Sequence, residues 1–216
     1  MYKDRIEAGY ALANELKKYK NKPGIVLAVP RGGIPIAYVV AKELELPMDI
    51  LLTKKIGHPH NREYAIGAVS LTDRYISNRE EVSQAYIDKE TIRLRQKLKE
   101  LNHILMGDKA PEKLEGKIVI IIDDGIATGS TLLSTIKMIR KQKPAKLVIA
   151  APVASSTAIE KLSPIVDELI CPLVPEDFWG VGIFYENFEQ VSDTEAKYFI
   201  NKLKEPKNTS DKNSVA

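Results

Sequence analysis

Residues 119–131 read V-I-I-I-D-D-G-I-A-T-G-S-T, and no other stretch of the chain limits its fold as sharply. Val119, Ile120, Ile121 and Ile122 form an apolar run suited to a strand buried on both faces of a sheet. Such strands belong to α/β proteins whose helices cover both sides. Two carboxylates, Asp123 and Asp124, follow at once. Then come Gly125 and Gly129, interleaved with Ala127, Thr128, Ser130 and Thr131, before an amphipathic helical pattern begins. This layout predicts a strand, a Gly-rich turn and a helix N-terminus, where backbone N–H groups converge on an anion.

The helix that follows supports an anion at its start. Leu132, Leu133, Ile136 and Ile139 share one face, while Lys137, Arg140, Lys141 and Lys143 crowd toward its end and Pro144 stops it. Cations at the C-terminus complement the macrodipole and leave the positive end, beside Ser130 and Thr131, for a ligand. The spacing is neither G-x-x-x-x-G-K-[ST] nor G-x-G-x-x-G, so the two commonest phosphate loops are excluded. Carboxylates repel phosphate but accept hydrogen bonds well from a sugar diol. A ribose 5-phosphate meets both demands.

The stretch resembles the phosphoribosyl pyrophosphate (PRPP) motif of type I phosphoribosyltransferases: apolar strand, two acidic residues, then a small-residue loop ending in Thr-Gly-x-Thr. The resemblance implies that Asp123 and Asp124 hold the ribose hydroxyls and contact Mg2+ indirectly, through Mg-PRPP. It gives the 5-phosphate to Ala127, Thr128, Gly129, Ser130 and Thr131. A mostly parallel sheet flanked by helices, a flexible loop and a C-terminal hood are the fold it implies. The alternative is a buried strand whose turn happens to be rich in Gly and Thr. Adjacent carboxylates at a strand end weaken it, because nothing nearby in the sequence offsets their desolvation.

Composition agrees with a single enzyme domain. With 216 residues, 44% of them apolar, the chain has material for a sizeable core. Its net charge of +3 comes from 32 basic and 29 acidic residues spread along the chain, which argues against a nucleic-acid surface and mildly for an anionic small substrate. A lone Cys171 rules out an internal disulfide framework and suits a reducing compartment. Neither a leader-like apolar segment nor a membrane-spanning run is present, so a cytoplasmic protein is expected.

Taken in order, residues 2–19 read as a first helix with Ile6, Tyr10, Ala13 and Leu16 along its apolar stripe. A strand at Ile25 to Val29 leads into Pro30-Arg31-Gly32-Gly33 and a second helix over Ile34 to Leu44, repeating the strand, Gly turn, helix order. Gly-Gly admits close approach of a ligand, and Arg31 adds a permanent charge. The resemblance assigns pyrophosphate to Arg31, Gly32 and Gly33, in a loop that in some members holds a non-proline cis peptide. After a strand at Pro47 to Thr53, Lys54 to Glu63 turns polar and aperiodic and reads as a mobile loop. In the family a flexible loop closes here over PRPP, making Lys54, Lys55 and Arg62 candidates for the pyrophosphate and Lys55 the first choice as a catalytic cation. His58 and His60 lack a third ligand nearby, which argues against a transition-metal site. Residues Ala65 to Leu71 are expected to rejoin the sheet. Lys54 to Val69, together with Asp4-Arg5 and Glu7-Ala8-Gly9, resembles a little-characterised branch of predicted phosphoribosyltransferases.

An insertion over about 73–107 holds a long helix, Ser83 to Met106, with Ile87, Ile92 or Thr91, Leu94, Leu98, Leu101 and Leu105 as its stripe. It reads as cover for a sheet edge or as part of a homodimer interface. Strands at Lys146 to Val153 and at Glu168 to Pro172 flank a short helix at Ser155 to Leu162. A hood over about 171–192 carries Phe178, Trp179, Phe184, Tyr185 and Phe188, an aromatic cluster suited to stacking on a planar ring. Phe178 or Trp179 is the expected base-stacking residue. Asp193 to Leu203 reads as a last helix, so residues 1–204 form one domain, and 205–216 read as a polar disordered tail. Hypoxanthine-guanine enzymes commonly carry Asp where this chain has Ala127, which puts 6-oxopurine salvage in doubt and leaves the acceptor open. The reading is an Mg2+-dependent transfer of 5-phosphoribosyl from PRPP to a nitrogenous acceptor. The alternative is a PRPP-binding regulatory protein without turnover.

Overall fold

A computed structural model describes residues 1–77 and 82–205. Apolar runs at Gly24–Ala28 (β1), Ile118–Ile122 (β6) and Lys146–Ala150 (β7) make the centre of a parallel sheet, with Met48–Ile50 (β2) and Glu168–Ile170 (β8) at its edges. Its order is β2-β1-β6-β7-β8. Alternation along the strands feeds two cores. Val26, Ala28, Ile120, Ile122, Val148 and Ala150 pack toward Arg5–Glu15 (α1), Gly33–Leu44 (α2) and Asp193–Lys204 (α6). Ile25, Leu27, Val119, Ile121, Leu147 and Ile149 pack toward Ser130–Arg140 (α4) and Ser156–Leu162 (α5). Burial on both faces is why these strands show no apolar-polar alternation in sequence. The order reverses direction between β1 and β6, which opens a crevice at their carboxyl ends, the usual place for a ligand in such sheets.

Two expectations about residues 53–71 are corrected. Lys54 to Glu63 is no loop, and Ala65 to Leu71 does not rejoin the main sheet. Thr53–His58 (β3), Asn61–Ser70 (β4) and Arg74–Ile76 (β5) form a separate three-stranded antiparallel sheet against α4 and the long helix Gln84–Met106 (α3). Residues of β3 on both faces are half-buried and only Ile56 is fully buried, so the sequence offers no alternation to read. Backbone pairing with β4 makes the strand. Lys54 pairs with Val69 and Lys55 with Ala68, and the register then shifts on either side of Gly57, nearer the turn. The strand expected from Pro47 to Thr53 divides accordingly: β2 stops at Ile50, and Thr53 opens β3.

Helix α1 is shorter than expected, and its buried face keeps Ala13 and Leu16 of the expected stripe but not Tyr10. Ala8, Gly9, Leu12, Ala13 and Leu16 are covered whereas Tyr10 is 52% exposed. A Cβ at Gly9 would lie 2.8 Å from Val39 Cβ, so α1 meets α2 where only small residues fit. In α3 the ambiguity resolves to Thr91, which is buried, while Ile92 is 72% exposed. This stripe is covered by β3, β4 and α6 of the same chain. Residues 206–216, read above as a disordered tail, lie outside the described residues.

Beyond the amino end of the sheet, Glu168 accepts hydrogen bonds from Lys146 Nζ (2.8 Å), Tyr19 Oη (2.5 Å) and Lys18. Burial works to raise its pKa, but these donors outweigh it and push the carboxyl down to about 2. A depressed carboxyl stabilises the fold above its unfolded pKa and loses that contribution as pH falls through the folded value. Thermal stability is therefore expected to drop between about pH 4.5 and pH 2. Glu168→Gln should remove about 1 kcal/mol of that pH dependence, the modest size reflecting solvent screening. Differential scanning calorimetry across this window checks it.

Candidate functional site

The crevice is built from two strand-to-helix turns. At the end of β1, Val29 N–H donates to Ile122 O (2.8 Å), and the Pro30–Arg31 peptide is cis. Gly32 and Gly33 then press against the neighbouring turn. A Cβ on Gly33 would stand 2.6 Å from Ile122 O, and one on Gly32 would collide with the Asp124 carboxylate. The two glycines are what allow the turns to touch. Both turns thus form one surface.

At the end of β6, Asp123 Oδ1 accepts from Asp124 N–H (2.9 Å). Burial and the adjacent Asp124 carboxylate push Asp123 well above the usual carboxylate range, with the Arg5 cation working the other way. Asp124 is held by Arg5, whose Nε and Nη2 donate to Oδ2 at 3.0 and 2.8 Å. Next, Ile126 bridges to Ala154, and Ser155 Oγ donates to Ala127 O (2.5 Å) while capping α5. Gly129 adopts φ +66°, and no side chain caps the α4 N-terminus it precedes. Among the described residues Ser130 N–H donates only to Thr128 Oγ1, at a long 3.4 Å. Ala127, Thr128 and Thr131 are exposed. An uncapped helix start with exposed small residues is fit to receive a phosphate.

The cations lie around this surface. Lys54 is half-buried, and its pKa is lowered by burial and by the nearby cations of Lys97, Arg31 and Arg93. Together with Lys55, Pro30, Thr131, Leu94 and Leu98 it lines a cavity of about 330 Å3 between the cis turn, β3, α4 and α3. Thr53 Oγ1 and Thr135 Oγ1, 3.0 Å apart, tie β3 to α4 at this place. Arg31 Nε donates to Asp193 Oδ1 (2.5 Å) at the start of α6. Its guanidinium is engaged there.

In the hood, Val181 covers the turn directly: a Cβ on Gly125 would collide with the Val181 side chain. Phe178 stacks on Phe184 with centroids 5.8 Å apart, whereas Trp179 is 87% exposed. The hood is anchored by Tyr185 Oη, which donates to Asp124 O (2.7 Å), and by a bridge between Tyr2 and Tyr185. Cys171 is no candidate nucleophile, since burial pushes its thiol up to about 11.

The structure therefore brings together Asp123, Asp124, residues 127–131, Arg31, Gly32 and Gly33 in one crevice, with Lys54 and Lys55 at an adjoining cavity. Sequence reasoning gave no site role to Arg5, Val181, Ser155 or Asp193, and placed Tyr185 only among the stacking aromatics, not as an anchor on Asp124. Each acts through a contact distant in the chain that no spacing rule reports. Among the described residues no cluster of three or more His, Cys, Asp or Glu side chains could hold a metal alone. A divalent ion that keeps its waters and arrives on substrate phosphates needs no such cluster. No helix among the described residues is long and apolar enough to cross a membrane.

Residues 3–186 match the family model described as a phosphoribosyl transferase domain. The crystal structure of TT1426 from Thermus thermophilus is similar with a TM-score of 0.86 and 31% identity, over 94% of this chain and 98% of that one. "Putative phosphoribosyl transferase Rv0571c" of Mycobacterium tuberculosis is 33% identical over 211 residues, covering 94% of this chain and 47% of its own. The chain spans about half the length of the curated relatives it matches over most of its length. A uracil phosphoribosyltransferase of Mycoplasma genitalium is 45% identical over a shorter segment, 27% of this chain and 30% of its own.

Proposed function

The chain belongs to the phosphoribosyl transferase domain family, and from that premise we propose that it transfers 5-phosphoribosyl from Mg-PRPP to a nitrogenous acceptor, releasing pyrophosphate. The observation that carries this reading is the contact of Gly32 with the Asp124 carboxylate beside the uncapped start of α4. On this reading the turn at Gly32 would take pyrophosphate, the Asp124 carboxylate the ribose diol and the start of α4 the 5-phosphate, in the order of the groups on PRPP.

In this reading the N–H groups of residues 127–131 bind the 5-phosphate, and Asp123 and Asp124 accept hydrogen bonds from the ribose hydroxyls. Gly32 and Gly33 admit the pyrophosphate, with Lys54 and Lys55 as its cations. Arg31 joins them by exchanging Asp193 for the ligand. Departure of pyrophosphate leaves positive charge on the ribose, so carboxylates near the sugar and cations at the leaving group both favour the transition state. Mg2+ bound to PRPP would neutralise leaving-group charge. Phe178, packed under the hood, is better placed than the solvent-exposed Trp179 to wall an acceptor pocket.

Phosphorus NMR of the protein with Mg-PRPP and a panel of purine and pyrimidine bases tests the reading. Free pyrophosphate together with a new nucleotide phosphate is the expected result. PRPP bound but unconsumed with every base would favour a regulatory PRPP-binding protein instead, and absence of binding would remove the site itself.

A further inference from the structure

The two oxygens of Asp124 are treated differently. Oδ2 lies against Gly32 and accepts both Arg5 Nε (3.0 Å) and Arg5 Nη2 (2.8 Å). Among the described residues no protein donor is assigned to Oδ1. Arg5 is itself fixed on every side. Its Nη1 donates to Glu189 O (2.8 Å), and its guanidinium lies 4.0 Å from the centre of the Phe188 ring. Phe188 stacks on Tyr185, and Tyr185 Oη returns to Asp124 O (2.7 Å), closing a circuit that starts and ends on Asp124. Asp4 caps α1 by accepting from Ile6 N–H and Glu7 N–H, which sets the backbone from which Arg5 projects. The side chains of Arg5 and Asp124 are only 11% and 17% exposed.

We propose that Arg5 is a positioning residue for ribose recognition: it pins Asp124 through Oδ2, leaves Oδ1 for a ribose hydroxyl, and cancels one of two adjacent negative charges beside a phosphate site. This rests on the PRPP reading above. The physical need is specific. Two adjacent carboxylates repel a polyanionic substrate, whereas one carboxylate and one neutralised carboxylate still offer acceptors to a diol. A fork with two nitrogens on one oxygen also fixes the plane of the carboxyl, and the cation-π contact with Phe188 holds the fork.

Isothermal titration of wild type, Arg5→Met and Arg5→Lys with Mg-PRPP and, separately, with Mg-pyrophosphate tests this. Pyrophosphate has no ribose, so it reports the leaving-group side alone. Arg5→Met is expected to bind Mg-PRPP about ten- to a hundredfold more weakly, the effect of one or two charge-assisted contacts, with Mg-pyrophosphate changed less than about twofold. Arg5→Lys keeps the charge and loses the fork, and should fall between. It carries the test if Arg5→Met does not fold. Equal losses for both ligands would overturn the inference, leaving Arg5 a support of the fold. Unchanged or tighter Mg-PRPP binding in the variants would overturn it too, tighter binding meaning that the guanidinium competes with ribose. Wild type that binds pyrophosphate but gains nothing from the ribose would instead overturn the PRPP reading, and this inference with it.

Discussion

Gly33→Ala is expected to remove Mg-PRPP binding and to cost about 2–3 kcal/mol of stability, the upper part of the range for overpacking a tight contact. The added methyl would stand 2.6 Å from Ile122 O and 3.1 Å from Asp123 Cα. Both atoms belong to backbone, the last residue of the central strand and the one after it, so no side chain can rotate out of the way. Either the β1 turn backs away from the end of β6 or the strand bends, and each parts the groups that the proposed ligand needs together. A useful contrast is Gly107, which ends α3 at φ +60° with nothing near its missing Cβ. Gly107→Ala should cost about 1 kcal/mol from backbone conformation alone and leave ligand binding intact. Urea denaturation and PRPP titration of the two variants separate the effects. Gly33→Ala with wild-type affinity would contradict the shared surface described for the two turns.

Asp123→Asn should lower transfer by about a hundredfold or more, the scale of losing one preorganised electrostatic contact in a transition state, without weakening the fold. Its proton affinity is raised by burial and by Asp124, so folding disfavours the ionised form. A carboxyl raised in this way contributes most to stability below its unfolded pKa. That contribution declines as pH climbs toward the folded value. The amide carries no such dependence, so the melting temperature of Asp123→Asn relative to wild type should rise with pH across that interval. This is opposite in sign to the expectation for Glu168→Gln. Activity and melting temperature measured on the same samples decide it, because a variant that is inactive from misfolding would melt lower, not higher.

Much of the main sheet was legible because β1, β6 and β7 are apolar on both faces and each is followed by a turn and a helix. The crevice residues were legible for a related reason: Asp123 to Thr131 and Arg31 to Gly33 are contiguous, so their chemistry survives in the order of letters. What the order could not carry was pairing. The sheet containing Lys54 depends on hydrogen bonds to Val69 and Ala68, and a half-exposed strand in which only Ile56 is fully buried looks like loop. Arg5 likewise gave no local sign of its partner, since Asp124 lies far along the chain and only the fold brings them to 2.8 Å. Tyr10 misled because a helix stripe counts large apolar residues, whereas the α1–α2 crossing at Gly9 demands small ones.

The register shifts on either side of Gly57 act as an expansion joint. They lie between the hairpin turn and the Lys54–Lys55 pairings, so residues added or removed at the turn can be absorbed before they reach the lysines. Neighbouring strand residues face opposite ways, and a slip of one position would exchange the two cations. With the joint where it is, the pairings that hold both lysines at the cavity between β3 and α3 are set apart from the turn.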